Sequence, residues 1–154
     1  RTTGPWHSGT GGEFFQLTVS ALAGRAFKLV ANLPYQVAGT LIGTLLVHHP
    51  RCAGLFVTIQ KEVADRLAAG PGTKDYGALS VFVRRSFRVV RRIAVPPTCF
   101  RPQPAVHSAV IVLEPHEPAV PPVDDVLRQV VLTAFSRRRK TLRNAWRGAL
   151  GLDE

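Results

Sequence analysis

The chain has 154 residues, 45% of them hydrophobic, so it is long and apolar enough to bury one globular core. Its 20 Lys and Arg residues outnumber 10 Asp and Glu residues, and the net charge of +10 favours a polyanionic partner, above all a nucleic acid. The two cysteines, Cys52 and Cys99, have no metal-ligand spacing, which argues against a zinc site or disulfide framework and favours a reducing, cytoplasmic setting.

The first part of the chain alternates between strand and helix patterns. Residues 28–32 (KLVAN) and 53–60 (AGLFVTIQ) are apolar runs of strand length, typical of parallel strands buried on both faces. The segment between them, 37–48, has the length of a crossover helix and is too short to cross a membrane. Further along, the pattern predicts helices over 61–70 and 78–87, a loop over 71–77, and strands over 88–95 and 107–115. A short, proline-rich connection joins the last two strands, which predicts an antiparallel pair at one edge of the sheet.

The C-terminal part is predicted to be helical. Residues 116–122 read as a proline-rich linker, and from Val123 to Phe135 apolar residues recur every three or four positions. Ser136 is predicted to cap a second helix, with Leu142 and Trp146 on its apolar face and six basic residues opposite.

The first predicted strand ends in Asn32, Leu33, Pro34 and Tyr35, where an open parallel sheet binds its ligands. Pro34 has a fixed φ and biases Leu33 toward an extended backbone, so the Asn32 amide oxygen and nearby carbonyls are predicted to point outward as acceptors. Two acceptors on the exocyclic amine of a purine would localise its lone pair for attack on an electrophile. Tyr35 offers a face on which an extruded base can stack.

A structural interpretation of these aromatic and polar residues stays open at this point. Asn-x-Pro after a strand is often only a turn, and the Tyr35 ring can belong to the core. In the same way, Phe100 in the segment CFRPQP can simply fill the core beneath an edge connection.

Four blocks of the sequence resemble, in order and spacing, the small-subunit ribosomal RNA adenine dimethyltransferases. They are NLPY (32–35), FVTIQKEVADRLAAGPGTKDYGALSV (56–81), VPPTCFRPQPAVHSAVIVLEP (95–115) and AFSRRRKTLRN (134–144). The resemblance implies a Rossmann-like methyltransferase that uses S-adenosylmethionine as methyl donor and carries a small helical domain that helps to grip rRNA. It also implies a catalytic role for Asn32, Leu33, Pro34 and Tyr35.

Within that group, the resemblance implies that Asn32 and neighbouring carbonyls accept hydrogen bonds from the target adenine amine, and that Asn32 and Pro34 border the cofactor. Tyr35 would stack on the base and Phe100 would line its other side. Prolines on both sides of Phe100 stiffen its loop, which agrees with such a role. His residues show no ligand spacing, and no metal is predicted.

Basic side chains are predicted to contact RNA phosphates, because few acidic residues accompany them. A charge run is more often a solvated face, and this alternative stays open for each of them. The predicted RNA-binding residues are Lys74, Arg84, Arg85, Arg137, Arg138, Arg139, Lys140, Arg143 and Arg147. Tyr76, in the same loop as Lys74, matches a family block without an assigned role.

The fold class expected is α/β: the C-terminal half of a Rossmann-like methyltransferase sheet, with parallel strands and an antiparallel edge pair, followed by a small all-helical domain. The family's glycine-rich cofactor loop and acidic strand ends should precede Lys28, yet only 27 residues do, and the Gly-rich stretch 8–15 has no strand before it. We therefore expect a fragment that lacks the cofactor half. Its expected parts are a tail or remnant of an α/β unit (1–27), a partial methyltransferase core (28–115), a linker (116–122) and a partial RNA-binding domain (123–154).

The function expected is N6,N6-dimethylation of adenines in small-subunit rRNA or the pre-ribosomal small subunit, contributing to ribosome biogenesis in the cytoplasm. Two alternatives remain. The chain can be a non-catalytic rRNA-binding or ribosome-assembly module, or a large-subunit rRNA adenine methyltransferase of the antibiotic-resistance type. The long C-terminal basic block and the loop GPGTKDYG (70–77) favour the small-subunit type.

Overall fold

The structure, a computed structural model, describes residues 26–48, 51–117, 120–121, 123–137 and 140–147. Its elements in chain order are β1 (Phe27–Asn32), α1 (Ala38–His48), β2 (Cys52–Gln60), α2 (Lys61–Ala68), α3 (Ala78–Ser86), β3 (Phe87–Val95), β4 (Ser108–Pro115), α4 (Asp125–Phe135) and α5 (Leu142–Trp146). A single 3₁₀ turn, Pro97–Cys99, lies between β3 and β4. The predicted alternation of strands and helices is confirmed, with boundaries that differ by one or two residues.

The four strands form one sheet in the order β1-β2-β4-β3. β1 pairs with β2 in parallel, as the crossover through α1 requires, whereas β4 runs antiparallel to both β2 and β3. This arrangement confirms the mixed α/β fold and the antiparallel pair at the β3 edge of the sheet. β4 therefore runs opposite to the other three strands, and this direction determines at which edge of the sheet the β3–β4 connection lies.

The main core lies where helices α1, α2 and α3 cover the sheet. Apolar residues at alternate positions of the two central strands supply one side of it, and single residues of each helix supply the other. Its fully buried members include Leu55, Val57 and Ile59 of β2, Ile111 and Leu113 of β4, Ile42 of α1, Leu67 of α2 and Val83 of α3. Removing one such large side chain would cost about 2–5 kcal/mol of stability.

The C-terminal helices are attached to this core through α3. Phe82 of α3 packs with Val123 and Val131 in a second apolar cluster, while its neighbour Val83 faces the main core. The indole Nε1 of Trp146 donates a hydrogen bond to the Val130 carbonyl at 3.1 Å, which joins α5 to α4. The helix α3 thus belongs to both clusters and links the sheet to α4.

Two expectations from the sequence are wrong. Strand β1 is not buried on both faces: its residues alternate in exposure, and Val30 is 77% exposed, because no described element packs on that face. Ser136 does not cap a helix start; it follows the last residue of α4 and donates its hydroxyl to the Thr133 carbonyl. The second helix begins only after Thr141, whose hydroxyl accepts a hydrogen bond from the backbone N–H of Asn144.

The predicted basic helix face is consequently not continuous. Arg137 and Lys140 precede α5, and Arg143 lies within it. Arg138 and Arg139 lie outside the described residues, as does most of the segment 1–27 that was expected to be a tail or remnant.

Candidate functional site: an aromatic cavity at the carboxyl edge of the sheet

The direction of β4 brings two distant segments to the same edge of the sheet. β1 and β2 end at this edge, and the register pairs the last residue of β2, Gln60, with the first of β4, Ser108. Val95, the last residue of β3, also pairs with Ser108. The β3–β4 connection, residues 96–107, therefore lies beside the segment that follows β1, as ligand binding at the carboxyl ends of strands requires.

The segment after β1 begins with an extension of the strand ladder. The backbone N–H of Leu33 donates to the Thr58 carbonyl at 3.0 Å, and the Leu33 side chain is buried in the core. The Asn32 side chain is exposed at the strand end. In the described part of the chain no hydrogen-bond donor reaches the Asn32 side chain or the Leu33 carbonyl, so both are available as acceptors.

Pro34 also takes part in the turn that follows β1. Its carbonyl oxygen accepts the backbone N–H groups of Val37 and Ala38, at 3.2 and 3.1 Å, and so closes the turn that leads into α1. The Pro34 carbonyl is therefore engaged by the start of α1, and the acceptors of this segment that stay available are those of Asn32 and Leu33. The proline ring itself lines the cavity described below.

The Tyr35 ring is fixed at its far end. Its hydroxyl lies 2.7 Å from the Ser108 hydroxyl, across the end of β2, and the tyrosine is half-buried. The sequence interpretation of Tyr35 as either a core ring or an exposed stacking face is too simple, because the ring has one anchored end and one accessible surface.

Phe100 is positioned by the 3₁₀ turn that precedes it. The backbone N–H groups of Cys99 and Phe100 donate to the carbonyls of Pro96 and Pro97, each at 3.1 Å. Phe100 is half-buried and outside both apolar clusters, so it does not serve as a plug of the core. The prolines of this loop hold it with few accessible backbone conformations.

These two segments enclose an open, mostly apolar cavity of about 370 Å³. It is lined by Asn32, Leu33, Pro34, Tyr35, Phe100, Pro102 and Pro104. Its size lies in the lower part of the range of small-molecule sites, roughly 300–1,000 Å³. Five residues singled out from the sequence are thus brought together, and a planar, partly apolar group with a hydrogen-bond donor is the kind of ligand that they fit.

A second, larger concavity of about 820 Å³ lies between the loop before α3 and the C-terminal helices; we call it the basic groove. Its charged lining residues are Glu62, Arg66, Lys74, Asp75, Arg137 and Lys140. Tyr76 stands edge-on against Phe135 of α4, with ring centroids 5.8 Å apart, and so joins the two sides of the groove. The groove brings together Lys74, Arg137 and Lys140 from the predicted RNA-binding set.

The remaining basic residues of that set lie elsewhere. Arg84 is exposed on α3, and Arg85 donates weakly to the Pro121 carbonyl at 3.5 Å, so it faces the linker. Arg143 and Arg147 are exposed at α5 without lining the basic groove. Their part in RNA binding stays a prediction.

Two of the three arginines of the edge strand β3 have acidic partners. Arg88 forms an ion pair with Glu114 at 3.0 Å, and Arg92 forms one with Asp65 at 2.5 Å. Distant acidic residues thus compensate charges that look unpaired in the sequence.

Among the described residues, no group of three or more His, Cys, Asp or Glu side chains could hold a metal ion. The same residues include no helix long and apolar enough to cross a membrane.

Sequence reasoning missed Ser108, whose hydroxyl lies against the Tyr35 hydroxyl. The available signal was a serine at a fully buried position of an otherwise apolar strand, SAVIVL. A buried hydroxyl needs a partner, but the sequence alone does not name a partner 73 positions away.

Comparisons with known proteins identify the family of the chain. The sequence pattern of the family described as Ribosomal RNA adenine dimethylase matches residues 12–151. A relative named Ribosomal RNA small subunit methyltransferase A, from Xanthomonas euvesicatoria, is 46% identical over 136 residues, covering 86% of this chain and 52% of the relative. The protein of the same name from Pseudomonas putida is 44% identical over 140 residues, covering 90% and 51%. The chain spans about half the length of these curated relatives.

Solved structures give the same result for the fold. A dimethyladenosine transferase from Plasmodium falciparum superposes with a TM-score of 0.71 at 30% identity, covering 81% of this chain and 46% of that one. The 23S rRNA methyltransferase ErmE superposes with a TM-score of 0.59, covering 81% and 51%, and at 19% identity it supports the fold alone. With a family pattern that covers nearly the whole sequence and a relative that is 46% identical over 136 residues, the chain belongs to the ribosomal RNA adenine dimethylase family.

Proposed function

We propose that this chain provides the target-base site of an S-adenosylmethionine-dependent rRNA adenine N6,N6-dimethyltransferase. Its substrate would be small-subunit rRNA or the pre-ribosomal small subunit in the cytoplasm, in keeping with the names of its relatives. The observation that carries the proposal is the cavity in which two unpartnered acceptors, from Asn32 and Leu33, share a wall with the rings of Tyr35 and Phe100.

An extruded adenine fits the chemistry of this cavity. A base outside the helical stack presents two apolar faces and an amine edge, and enzymes that modify bases hold them by stacking and by hydrogen bonds to that edge. The rings of Tyr35 and Phe100 offer stacking surfaces, and the lining prolines add apolar contacts. The Asn32 amide oxygen and the Leu33 carbonyl would each accept one N–H of the exocyclic amine.

These two hydrogen bonds would have a chemical consequence. The nitrogen lone pair of adenine is delocalised into the ring, and two acceptors that hold both N–H groups favour the pyramidal nitrogen that attacks. As charge develops on the nitrogen, the acceptors stabilise it, and the proton leaves to water. After one methylation the amine retains a single N–H, so only one acceptor is engaged in the second transfer.

The residues present fit one side of the methyl donor. Asn32 and Pro34 stand at the strand end where the donor must meet the amine, and their amide and ring edges would border it there. When bound, S-adenosylmethionine supplies an electrophilic methyl group on a sulfonium centre. The described residues supply this border and the base cavity.

The test is the substitution Asn32→Ala in the full-length product of the gene. We expect methyl transfer to unmodified small subunits to fall by about 100-fold or more, because one acceptor of the developing charge is lost. Affinity for the RNA should change little. Incorporation of labelled methyl groups and a filter-binding assay measure the two quantities.

The matched control is Gln36→Ala, which removes an exposed amide four positions further along that does not line the cavity. It should behave as the unsubstituted protein does. Retention of full activity by Asn32→Ala would contradict the proposal.

A second candidate function is non-catalytic binding of structured rRNA during subunit assembly, and the basic groove favours it. The groove brings four cationic side chains to a surface separate from the base cavity. RNA affinity that depends on the groove, together with no methyl transfer by the full-length protein under any condition, would support this candidate instead.

A further inference from the structure

We propose that Ser108 is a positioning residue, which holds the Tyr35 ring in the orientation that stacks on the target adenine. The inference rests on the proposed function. The hydrogen bond between the Ser108 and Tyr35 hydroxyls would then orient a ring of the site, in addition to the stability that any buried hydrogen bond contributes.

The first observation is the cost of placing a serine here. Ser108 is 0% exposed and begins β4, whose apolar residues Ala109, Ile111 and Leu113 are buried. A buried hydroxyl without a partner is unfavourable, whereas alanine would fill almost the same volume without needing one. In the described part of the chain, the Tyr35 hydroxyl is the partner that the Ser108 side chain has.

The second observation is that the Tyr35 ring lies where it could rotate without this hydrogen bond. Tyr35 lies in the turn between β1 and α1, and its ring is only half-buried. A tyrosine in such a turn rotates about two side-chain bonds. The 2.7 Å contact with Ser108 fixes the end of the ring opposite its Cα atom, so both ends of the side chain are held.

The third observation is that the anchor itself is rigid. Ser108 pairs in the sheet with Gln60 on one side and Val95 on the other, so its backbone is held by two strands. Val95 also marks the start of the connection that carries Phe100. The hydroxyl bond therefore ties the Tyr35 wall of the cavity to the strand that supports the Phe100 wall.

Pre-organising an aromatic side chain lowers the entropy lost when a ligand binds it, by an amount equivalent to about 2- to 12-fold in affinity for one side chain. We expect Ser108→Ala and Tyr35→Phe each to weaken stacking of the target base within this range. Tyr35→Phe keeps the aromatic face, so any loss reports on the hydroxyl alone.

The experiment is a double-substitution cycle in the full-length protein, with the wild type, Ser108→Ala, Tyr35→Phe and the double variant. The probe is a target RNA hairpin that carries 2-aminopurine in place of the target adenine, and its fluorescence reports stacking at equilibrium. Steady-state kcat and KM for methyl transfer are measured in parallel. The double variant should be no worse than either single variant, because the two hydroxyls serve one bond.

Val83→Ala is the control for lost stability. Val83, on α3, is also 0% exposed, lies in the main core and lines neither the cavity nor the basic groove. Its truncation should lower the unfolding midpoint in urea, while its effect on 2-aminopurine stacking should be small and independent of Tyr35→Phe.

The outcomes separate the two levels of inference. If Tyr35→Phe stacks the base and transfers methyl groups as the wild type does, the positioning role is wrong, even if Ser108→Ala fails to fold. If the effects of Ser108→Ala and Tyr35→Phe multiply, the serine acts only on stability and the role is also wrong. If Asn32→Ala retains activity, the proposed function itself is wrong.

Discussion

At the scale of single residues, the two cysteines have opposite environments. Cys52, in β2, is 2% exposed, and its thiol lies 3.5 Å from the Gly54 carbonyl. Burial raises the pKa of the Cys52 thiol, because the thiolate would lose its hydration there, and the Gly54 hydrogen bond opposes this only in part. Cys99 is exposed, directly before Phe100 at the rim of the cavity.

We therefore predict that a thiol reagent modifies one cysteine in the native protein and the second only after unfolding. Because the reactive species is the thiolate, Cys99 should react fast and Cys52 should be protected by both its burial and its raised pKa. Counting modified thiols in native buffer and in denaturant checks the result for this chain. Cys99→Ser should abolish the native reaction, and fast modification of both thiols would contradict the buried position of Cys52.

The raised pKa of Cys52 also makes the stability of the fold depend on pH. The unfolded chain ionises Cys52 at the ordinary thiol pKa, whereas the folded chain keeps its proton to higher pH. As the pH rises above the ordinary thiol pKa, the unfolded state is therefore favoured, and this contribution to stability falls.

The candidate site could be predicted residue by residue only where the chemistry is local. Asn32 and Tyr35 lie at or just after the carboxyl end of β1, where ligands of such sheets bind, whereas the role expected of Phe100 came from the family resemblance. The Pro34 carbonyl and Ser108 could not be assigned, since the first depends on where α1 begins and the second on a partner far away in the chain.

At the scale of elements, the C-terminal helices depend on their caps. The Asp124 carboxylate accepts a hydrogen bond from the Leu127 backbone N–H at 2.7 Å and so satisfies one of the unpaired donors at the start of α4. The apolar side of that helix supplies Val131 to the second cluster. Fraying of α4 would therefore loosen its contact with α3.

We predict that Asp124→Ala lowers the free energy of unfolding by about 1 kcal/mol, because the cap is lost. Asp124→Asn is the control, since asparagine caps a helix as well as aspartate does. Urea denaturation followed by circular dichroism measures both. Equal destabilisation by the two substitutions would show that charge, and not capping, accounts for the effect.

The elements show why periodicity predicted some features and not others. The apolar repeats of β2 and of α4 match their buried faces, and both were predictable. The apolar run of β1 gave no indication that one of its faces is exposed, because the run is set by residue type and exposure by what packs on it. The start of α5 was misplaced because Ser136 and Thr141 are both residue types that cap helices, and the sequence alone does not select between them.

At the scale of the whole molecule, the basic residues behind the net charge of +10 fall into two groups: some form ion pairs with acidic residues, and others have no acidic partner in the described part of the chain. Four basic side chains form ion pairs. Arg66 pairs with Glu62, and Arg88 pairs with Glu114. Lys61 and Arg92 both pair with Asp65. Arg137 and Lys140 line the basic groove without an acidic partner in the described part of the chain. They are the groove residues best placed to meet phosphates.

We predict that Arg137→Ala combined with Lys140→Ala weakens RNA binding and lowers its dependence on salt. Each phosphate contact that is lost should reduce the slope of log affinity against log salt by about one. Binding titrations at several salt concentrations measure the slope. The control is Arg128→Ala, which removes an exposed charge of α4 outside the groove and should leave the slope nearly unchanged. An unaltered slope in the double variant would exclude the groove as an RNA contact.

The reversed direction of β4 also bears on how this fold can change its specificity. The connection 96–107 starts and ends next to Val95 and Ser108, which are partners in the sheet, so its two ends are held close together whatever lies between them. Such a segment can be exchanged as a cassette: a donor loop need only span that fixed gap, and β1 with Asn32 is untouched. Loop grafting at these two anchors is thus a direct route to altering one wall of the cavity while the acceptor pair is retained.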